Sequence, residues 1–511
     1  MKLVHVLVAA ILLQLVATSV SGGLRGQEPG GAERTRWNIL LITADDLGLQ
    51  LGAYGDSLVT TPHLDSLAAA GVRFEVAYVT QASCSPSRSS MFTGLYPHST
   101  GQYGLAGFGL ALHPHLYDAT VPALLKEAGY RTGLIGKLHV APEESFPFDF
   151  RPADKRSRRV RQVAQQADTF WNETGAKPFF LMVSYKDPHA SWDWRERRKQ
   201  GFPRQVEGLP EHPIAASART ILPFQQIDTP SQRVRVANYY NAIMRLDAGV
   251  GMLLEVLHEH GHAESTLVIF LGDHGPPFTR GKTTAYEAGL RVPFLVRWPG
   301  VSKSMVSDAM ASAVDILPTI LDAAGVGIPS GLHGSSLRQV VSGTDTVWRQ
   351  YLAAEFHFHG RGFYPRRAIR DHRFKLIHNL LSGTAKPSNS IDNDKAYEES
   401  RKPPYAGTSV GRAFETLADP PEFELYDLET DPIEFHNLAG LPEYREVQVE
   451  LTQALLAWRQ ETNDPFLDPA FTDEVARRFE TRWPVQWVLV FLGAVVTMLI
   501  WWRLRTRRGN R

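Results

Sequence analysis

Asn38-Ile39-Leu40-Leu41-Ile42-Thr43 runs directly into Ala44-Asp45-Asp46. An apolar stretch this short, closed by a polar cluster, reads as a buried strand with a loop at its carboxyl end. The pattern recurs. Residues 132–135 precede Gly136-Lys137-Leu138-His139, residues 179–184 precede Lys186-Asp187-Pro188-His189, and residues 266–271 precede Gly272-Asp273-His274-Gly275. Residues 292–296 read as a further strand. Helical patterns lie between, at residues 62–70 after Thr61, at 121–128 before Gly129, and over 234–260. Alternating strands and helices predict an α/β fold, with a large, mostly parallel sheet flanked by helices. In such sheets ligands bind beyond the carboxyl ends of the strands. Each polar cluster alone suits a turn. Four on one rim bring carboxylates and imidazoles from separate strands together, as a cation site requires.

From about Tyr351 the pattern changes. Residues 351–357, 367–369, 374–377 and 423–426 read as short strands, followed by a helix over 444–459. This predicts a smaller C-terminal α+β domain on an antiparallel sheet. Residues 382–412 are rich in Pro, Gly, Ser and Asn and read as a long surface loop. The expected organisation is a catalytic domain over 36–345 and the smaller domain over 346–476.

The ends carry addresses. Residues 1–22 have Lys2, an apolar stretch and small residues where cleavage would fall, the pattern of a signal peptide. Residues 485–502 are uncharged and apolar, and a helix of that length spans roughly 27 Å, enough for a bilayer core. Tryptophans 483, 487, 501 and 502 flank this transmembrane helix, and the basic tail 503–511 carries five arginines. The positive-inside rule puts that tail in the cytoplasm and the catalytic body outside it, in a periplasmic, extracellular or lumenal space.

Composition narrows the function. The 511 residues are 43% hydrophobic and 21% charged, which suits a packed globular body. Lys+Arg and Asp+Glu are both 54, so no general nucleic-acid binder is expected. A single cysteine excludes an intramolecular disulfide and a cysteine-based zinc cluster. Collagen, coiled-coil and solenoid periods are absent.

That cysteine is Cys84, in Ser83-Cys84-Ser85-Pro86-Ser87-Arg88. Pro86 fits the first turn of a helix and Gly94 its C-terminal stop. Cys84 then sits at a helix N-terminus, which favours anions, with Arg88 one turn on. A buried structural thiol and a reactive one both fit this local chemistry.

The stretch from Cys84 to Arg88, continuing to Thr93-Gly94, resembles the sulfatase signature. Gly133 to His139 resembles the second signature of that family. Gly281-Lys282, Tyr286-Glu287 and Arg291-Val292-Pro293 resemble a third. The likeness spans residues 36–465. Within the family it is greatest to the heparan N-sulfatases (N-sulfoglucosamine sulfohydrolases, sulfamidases). It rests there on Gln102 to Leu105, Phe146 to Phe150, Lys186 to His189, Phe374 to Leu380 and Trp458 to Pro465.

The resemblance implies an alkaline-phosphatase-like fold and hydrolysis of sulfate from a sulfated carbohydrate, the N-sulfate of glucosamine in heparin or heparan fragments. It implies that a formylglycine-generating enzyme oxidises Cys84 to Cα-formylglycine, the nucleophile. Asp45, Asp46, Asp273 and His274, with the modified Cys84, would hold a divalent cation, calcium or else manganese. Arg88 would stabilise the hydrated aldehyde, and Lys137 and Lys282 would bind sulfate oxygens. His139 would act as base and His189 as acid to the leaving group. Asp187, His357 and His359 are the candidates for contacting the sugar, the two histidines by an i, i+2 spacing that points both to one face of a strand. Two departures stand out: position 274 is His where the sulfamidase pattern has Asn, and position 282 is Lys where it has Arg. Calcium prefers oxygen ligands, and lysine offers a point charge in place of a bidentate fork. An O-sulfatase, a phosphodiester or phosphonate hydrolase, and a catalytically silent glycan-binding protein are the alternatives.

Overall fold

A computed structural model describes residues 36–191, 201–217, 219–344, 348–360, 362–388, 391–392 and 394–479. The expected signal peptide, transmembrane helix and basic tail lie outside the described residues. Among those residues no helix is long and apolar enough to cross a membrane.

The first strand is β1 (Asn38–Asp45), followed by helix α1 (Pro62–Ala69), β2 (Val72–Phe74) and β3 (Ala77–Tyr78). Next come α2 (Cys84–Thr93), α3 (Val121–Glu127), β4 (Arg131–Gly136), α4 (Val160–Thr174) and β5 (Phe179–Pro188). Then follow α5 (Pro230–Glu259), β6 (Thr266–Gly272), β7 (Phe294–Arg297), β8 (Met305–Ser307), β9 (Ala311–Ser312) and α6 (Ile316–Ala324). The seven-stranded sheet has the order β4-β5-β1-β6-β7-β2-β8. β4, β5, β1 and β6 are mutually parallel, as expected. β7 runs antiparallel to β6 and to β2, so the sheet is mixed. The reason is local: only the one-turn helix Glu287–Leu290 separates β6 from β7, and a parallel return needs a full crossover.

The central strands are buried on both faces, which explains their unbroken apolar runs. Ile39 and Leu41 of β1, Phe180 and Met182 of β5, and Leu267 and Ile269 of β6 share one core with α6 and α3. Leu40, Ile42, Leu181, Val183, Val268 and Phe270 point the other way, onto α4 and α5. Helix α5 begins with Thr229 as N-cap, its side chain accepting from the Gln232 amide, and Pro230 in the first turn. It starts four residues before the point expected from periodicity. Helices α4 and α6 were not anticipated. In α4 the spacing of Val160, Val163, Ala167, Phe170 and Thr174 is the amphipathic signal that marks it.

The antiparallel sheet is β10 (Leu352–Phe356), β11 (Arg366–Arg370), β12 (Phe374–Asn379) and β13 (Phe423–Asp427), in sequential order. Helix α8 (Arg445–Glu461) covers one face with Leu451 and Leu455 against Ile369, Leu376 and Leu425. The opposite face (Ala354, Ala368, Ile377, Tyr426) merges into the main core. Enclosed charges reinforce this junction: Arg370 donates to Glu287 at 3.0 Å, and the Lys375 ammonium lies 3.2 Å from Glu287 and 2.8 Å from Glu434. The stretch 382–412 is no plain surface loop. It carries the short helix Ala396–Ser400 and the start of α7 (Ser409–Ala418), whose Val410, Ala413 and Phe414 are buried. Asp394 fixes the stretch to the main body by accepting from the Thr279 amide and the Gln225 side chain, at 2.7 and 2.6 Å.

Candidate active site

The strand ends converge as the sequence predicts. Asp45 closes β1, with Asp46 next to it; Lys137 follows β4, His189 follows β5, and Asp273 and His274 follow β6. Gly136 turns the chain at the end of β4 with φ 94°, and a Cβ there would sit 2.2 Å from the Ser184 carbonyl oxygen. Asp46 (φ 69°) and His139 (φ 60°) also hold left-handed backbone, a conformation costly to non-glycine residues and concentrated at functional sites.

Cys84 is the first residue of α2, with Pro86 in the first turn and Gly94, at φ 69°, ending the helix. The N-cap residue Ser83 does not cap the helix through its side chain. Its hydroxyl instead meets His359 Nδ1 at 2.7 Å. The thiol is buried, 3.6 Å from Asp45 Oδ1 and 3.2 Å from His274 Nε2. Burial would raise its pKa, but Lys137 and Lys282 outweigh that and lower it.

Arg88, also buried, donates from Nε to Asp273 at 2.9 Å and from Nη1 to Ser184 Oγ at 2.7 Å. Its Nη2 has no acceptor among the described residues. Lys137 Nζ lies 2.8 Å from both oxygens of Asp45, and Lys282 Nζ lies 2.8 Å from Asp46. Burial opposes the charge on Asp45, yet Lys137 and then His189 hold its carboxyl well below the usual range. Asp46 differs: burial dominates and lifts it to about 6. His274 is pushed up to about 9, because Asp273, Cys84 and Asp46 overcome its burial. His139 is pressed down to about 3 by burial and then by Lys137, so it is a neutral imidazole near neutral pH.

Two groups of ligand atoms lie within 4.8 Å of one another: Asp45, Cys84, Asp273 and His274, and Asp45, Asp46, Cys84 and His189. Asp46 Oδ2 is enclosed and has no hydrogen-bond donor among the described residues. Three buried carboxylates, one with an oxygen left over, suit a hard divalent cation.

A cavity of about 410 Å³ opens onto this cluster, lined among others by Cys84, Lys137, His139, His189, Lys282 and His359. Of the three candidates for sugar contact, only His359 reaches it. Two expectations are corrected. Asp187 is fully buried and held by Arg245 and Arg158, with distances of 2.6 Å from Arg245 Nε and 2.8 Å from Arg158 Nη1. Its neighbour Pro188 continues β5, so the side chain faces α5 and not the cavity. His357 is likewise enclosed. Strand β10 ends at Phe356, and beyond it His357 donates to Gln81 Oε1 at 3.1 Å and packs against Phe466. The spacing of the two histidines does matter, but against a protein partner: they pair with Gln81 and Ser83, themselves two residues apart, beside the start of α2. The sequence reading missed Ser184, which orients Arg88, and Asp392, which lines the cavity 3.7 Å from Lys282. A strand serine carries no local signal. Asp392 sits in the stretch taken for a surface loop.

The sulfatase family profile matches residues 37–326, more than half of the chain. The chain belongs to the sulfatase family. It is therefore a hydrolase acting on sulfate esters or S–N bonds. A second profile, the C-terminal region of N-sulphoglucosamine sulphohydrolase, matches residues 272–395. The human N-sulphoglucosamine sulphohydrolase is 33% identical over 465 residues, covering 84% of this chain and 91% of that protein. An ulvan-active sulfatase of Formosa agariphila is 29% identical over 446 residues, covering 86% of this chain and 82% of that one. Among solved structures, one in complex with its substrate D-glucosamine-2-N,6-O-disulfate superposes with a TM-score of 0.62 at 22% identity, covering 84% of this chain and 98% of the other. A phosphonate monoester hydrolase of Agrobacterium radiobacter gives 0.60 at 21%, covering 84% and 96%. These likenesses establish the alkaline-phosphatase-like fold, and the family acts through a metal ion and a formylglycine.

Proposed function

We propose that this sulfatase removes the N-sulfate of glucosamine in heparin- or heparan-type glycans, after a formylglycine-generating enzyme has converted Cys84 to Cα-formylglycine. The observation that carries the reading is the placement of Cys84. It heads α2 at the floor of the cavity, 3.2 Å from His274, beside Asp45 and one turn from Arg88.

The cation, calcium or else manganese, would be held by Asp45, Asp46, Asp273 and His274 beside the modified Cys84. When bound, it supplies charge to stabilise the sulfuryl oxygens. The ammonium groups of Lys137 and Lys282 bind those oxygens as negative charge builds on them. Arg88 has its Nη2 available to steady the oxygens of the hydrated aldehyde. His139, neutral near pH 7, accepts the hydroxyl proton of that nucleophile. His189, with Nδ1 2.5 Å from the Ala190 carbonyl and Nε2 3.8 Å from Asp46 Oδ2, would donate a proton to the departing nitrogen or oxygen. His359 meets the sugar at the mouth.

An O-sulfatase is the second reading. The sulfate-binding floor is common to both reactions, and ulvan-active and N-acetylglucosamine-6-O-sulfatases are also relatives. The deciding experiment compares kcat/KM for N-sulfoglucosamine and for 6-O-sulfated N-acetylglucosamine, using enzyme matured in a host that makes formylglycine. Faster release from the N-sulfate supports the proposal, and faster release from the 6-O-sulfate overturns it in favour of the second reading. Mass spectrometry of the Cys84 peptide tests the modification.

The body is proposed to lie outside the cytoplasm, anchored by residues 485–502. Activity recovered with membranes in the full chain, and in solution after truncation before Trp483, supports this. Activity confined to the cytosol overturns it.

A further inference from the structure

Sulfate binding at the floor uses Lys137 and Lys282. The same cavity is lined by three more cations, Arg151, Lys155 and Lys186. Lys186 is half-buried on β5. The two carboxylates that favour its charge are also engaged by other cations, Asp45 by Lys137 and Asp187 by Arg245 and Arg158. Burial, and then the Arg158 guanidinium, hold its ammonium below the usual lysine range.

Arg151 and Lys155 lie on the loop that follows β4. They share one carboxylate, that of Glu143: Arg151 pairs with it directly and Lys155 Nζ is 4.0 Å away. Glu143 is itself 62% exposed, so it neutralises little. Among the described residues, the cavity's other acids, Asp45 and Asp392, face the floor lysines Lys137 and Lys282, so Lys186, Lys155 and Arg151 are set against the one solvated acid Glu143.

We propose that Lys186, Lys155 and Arg151 form a second anion-binding subsite, which takes a further sulfate or carboxylate of the substrate beyond the sulfate being removed. The inference rests on the reading of the substrate as a sulfated glycan. A guanidinium receives such a group through two parallel hydrogen bonds, and an ammonium adds a point charge. A neutral aryl sulfate fills the floor and leaves the subsite unused. A glycan unit bearing a second anion fills both. That anion comes from another sulfate on the same sugar or from the carboxylate of an adjoining uronic acid.

Competition against hydrolysis of an aryl sulfate tests this, because it reads affinity whether or not the sugar is turned over. The competitors are N-sulfoglucosamine, glucosamine 2-N,6-O-disulfate, and a disaccharide joining N-sulfoglucosamine to a uronate. The wild-type enzyme is expected to bind at least one of the two doubly charged compounds about tenfold more tightly than the singly charged one, each added charge-assisted contact being worth roughly that factor. The compound that shows the gain identifies the source of the anion. Lys186→Met should reduce the ratio to within about twofold. So should the double variant Arg151→Gln/Lys155→Gln, whose exposed loop tolerates substitution if Lys186→Met misfolds. A wild-type ratio near one, or a ratio that survives both variants, overturns the subsite. Failure to hydrolyse any sugar sulfate, with the ratio intact, would count against the proposed substrate and leave the subsite standing.

Discussion

Arg245 of α5 closes on Asp187 at the end of β5, with Nε 2.6 Å from Oδ2 and Nη2 3.0 Å from Oδ1, and neither side chain reaches solvent. Arg158 adds a third contact to the same carboxylate and donates from Nη2 to the His189 carbonyl at 2.7 Å. The carboxylate thus anchors the turn that presents His189.

Asp187→Ala is therefore expected to impair aryl-sulfate and sugar-sulfate hydrolysis alike, since both reactions would use His189 in the proposed mechanism. Breaking one side of an enclosed ion pair also costs about 3–5 kcal/mol of stability. Denaturant unfolding and parallel kinetics on both substrates check this. A loss confined to sugar substrates would restore Asp187 to direct substrate contact.

Cys84→Ala should fold like the parent and lose sulfate release by about a thousandfold or more, because it deletes the proposed precursor of the nucleophile and little volume. A melting temperature within a few degrees of the parent, with no turnover, is the expected pair of results. Retained turnover would mean that a different group attacks sulfur.

Asp273 serves both Arg88 and the cation cluster. Asp273→Asn should weaken divalent-cation affinity by at least about tenfold. Calcium should raise the melting temperature of the parent and raise that of the variant much less. A chelator should abolish the calcium-dependent shift in both proteins, leaving only the difference due to the broken Arg88–Asp273 pair. Equal calcium shifts in both proteins would exclude Asp273 as a ligand.

Stability should fall in acid through Glu355. This enclosed carboxylate receives His98 Nδ1 at 2.6 Å. Burial would raise its pKa, but His98 and Arg367 bring it down from 4.5 to about 2. The folded state thus binds this proton less readily than the unfolded chain. The stabilisation is complete above pH 4.5 and is lost as the pH falls toward 2. On the order of 3 kcal/mol is at stake. Glu355→Gln should be less stable than the parent at pH 7 and should flatten the acid limb of stability against pH. An unchanged acid limb would place the titration elsewhere.

The chemistry of the floor was legible because each contributing strand is an apolar run that stops at a polar cluster. Asp45, Lys137, His189 and Asp273 could be placed on one rim without any tertiary knowledge. Asp187 shows where that reasoning stops. Its local setting matches that of His189, and its partner Arg245 lies 58 residues away on a helix. Nothing nearby in the chain announces a long-range ion pair. His357 failed for a related reason: alternation along a strand says which side chains share a face, but β10 ends one residue before it. Residues 382–412 look polar because their apolar positions are few, yet Val410 within them, with Phe414 just beyond, seats α7. Asp392 was hidden by that misreading.

The floor and the mouth of the cavity answer to different pressures. Asp45, Lys137, His189 and Asp273 end or follow strands buried on both faces, so a change there must survive the test of folding before it is tested for activity. Arg151, Lys155 and Asp392 sit on connections whose replacement leaves the central sheet intact. A lineage carrying this architecture can trade one sugar for another by rewriting connections while it inherits the bond-breaking apparatus unaltered.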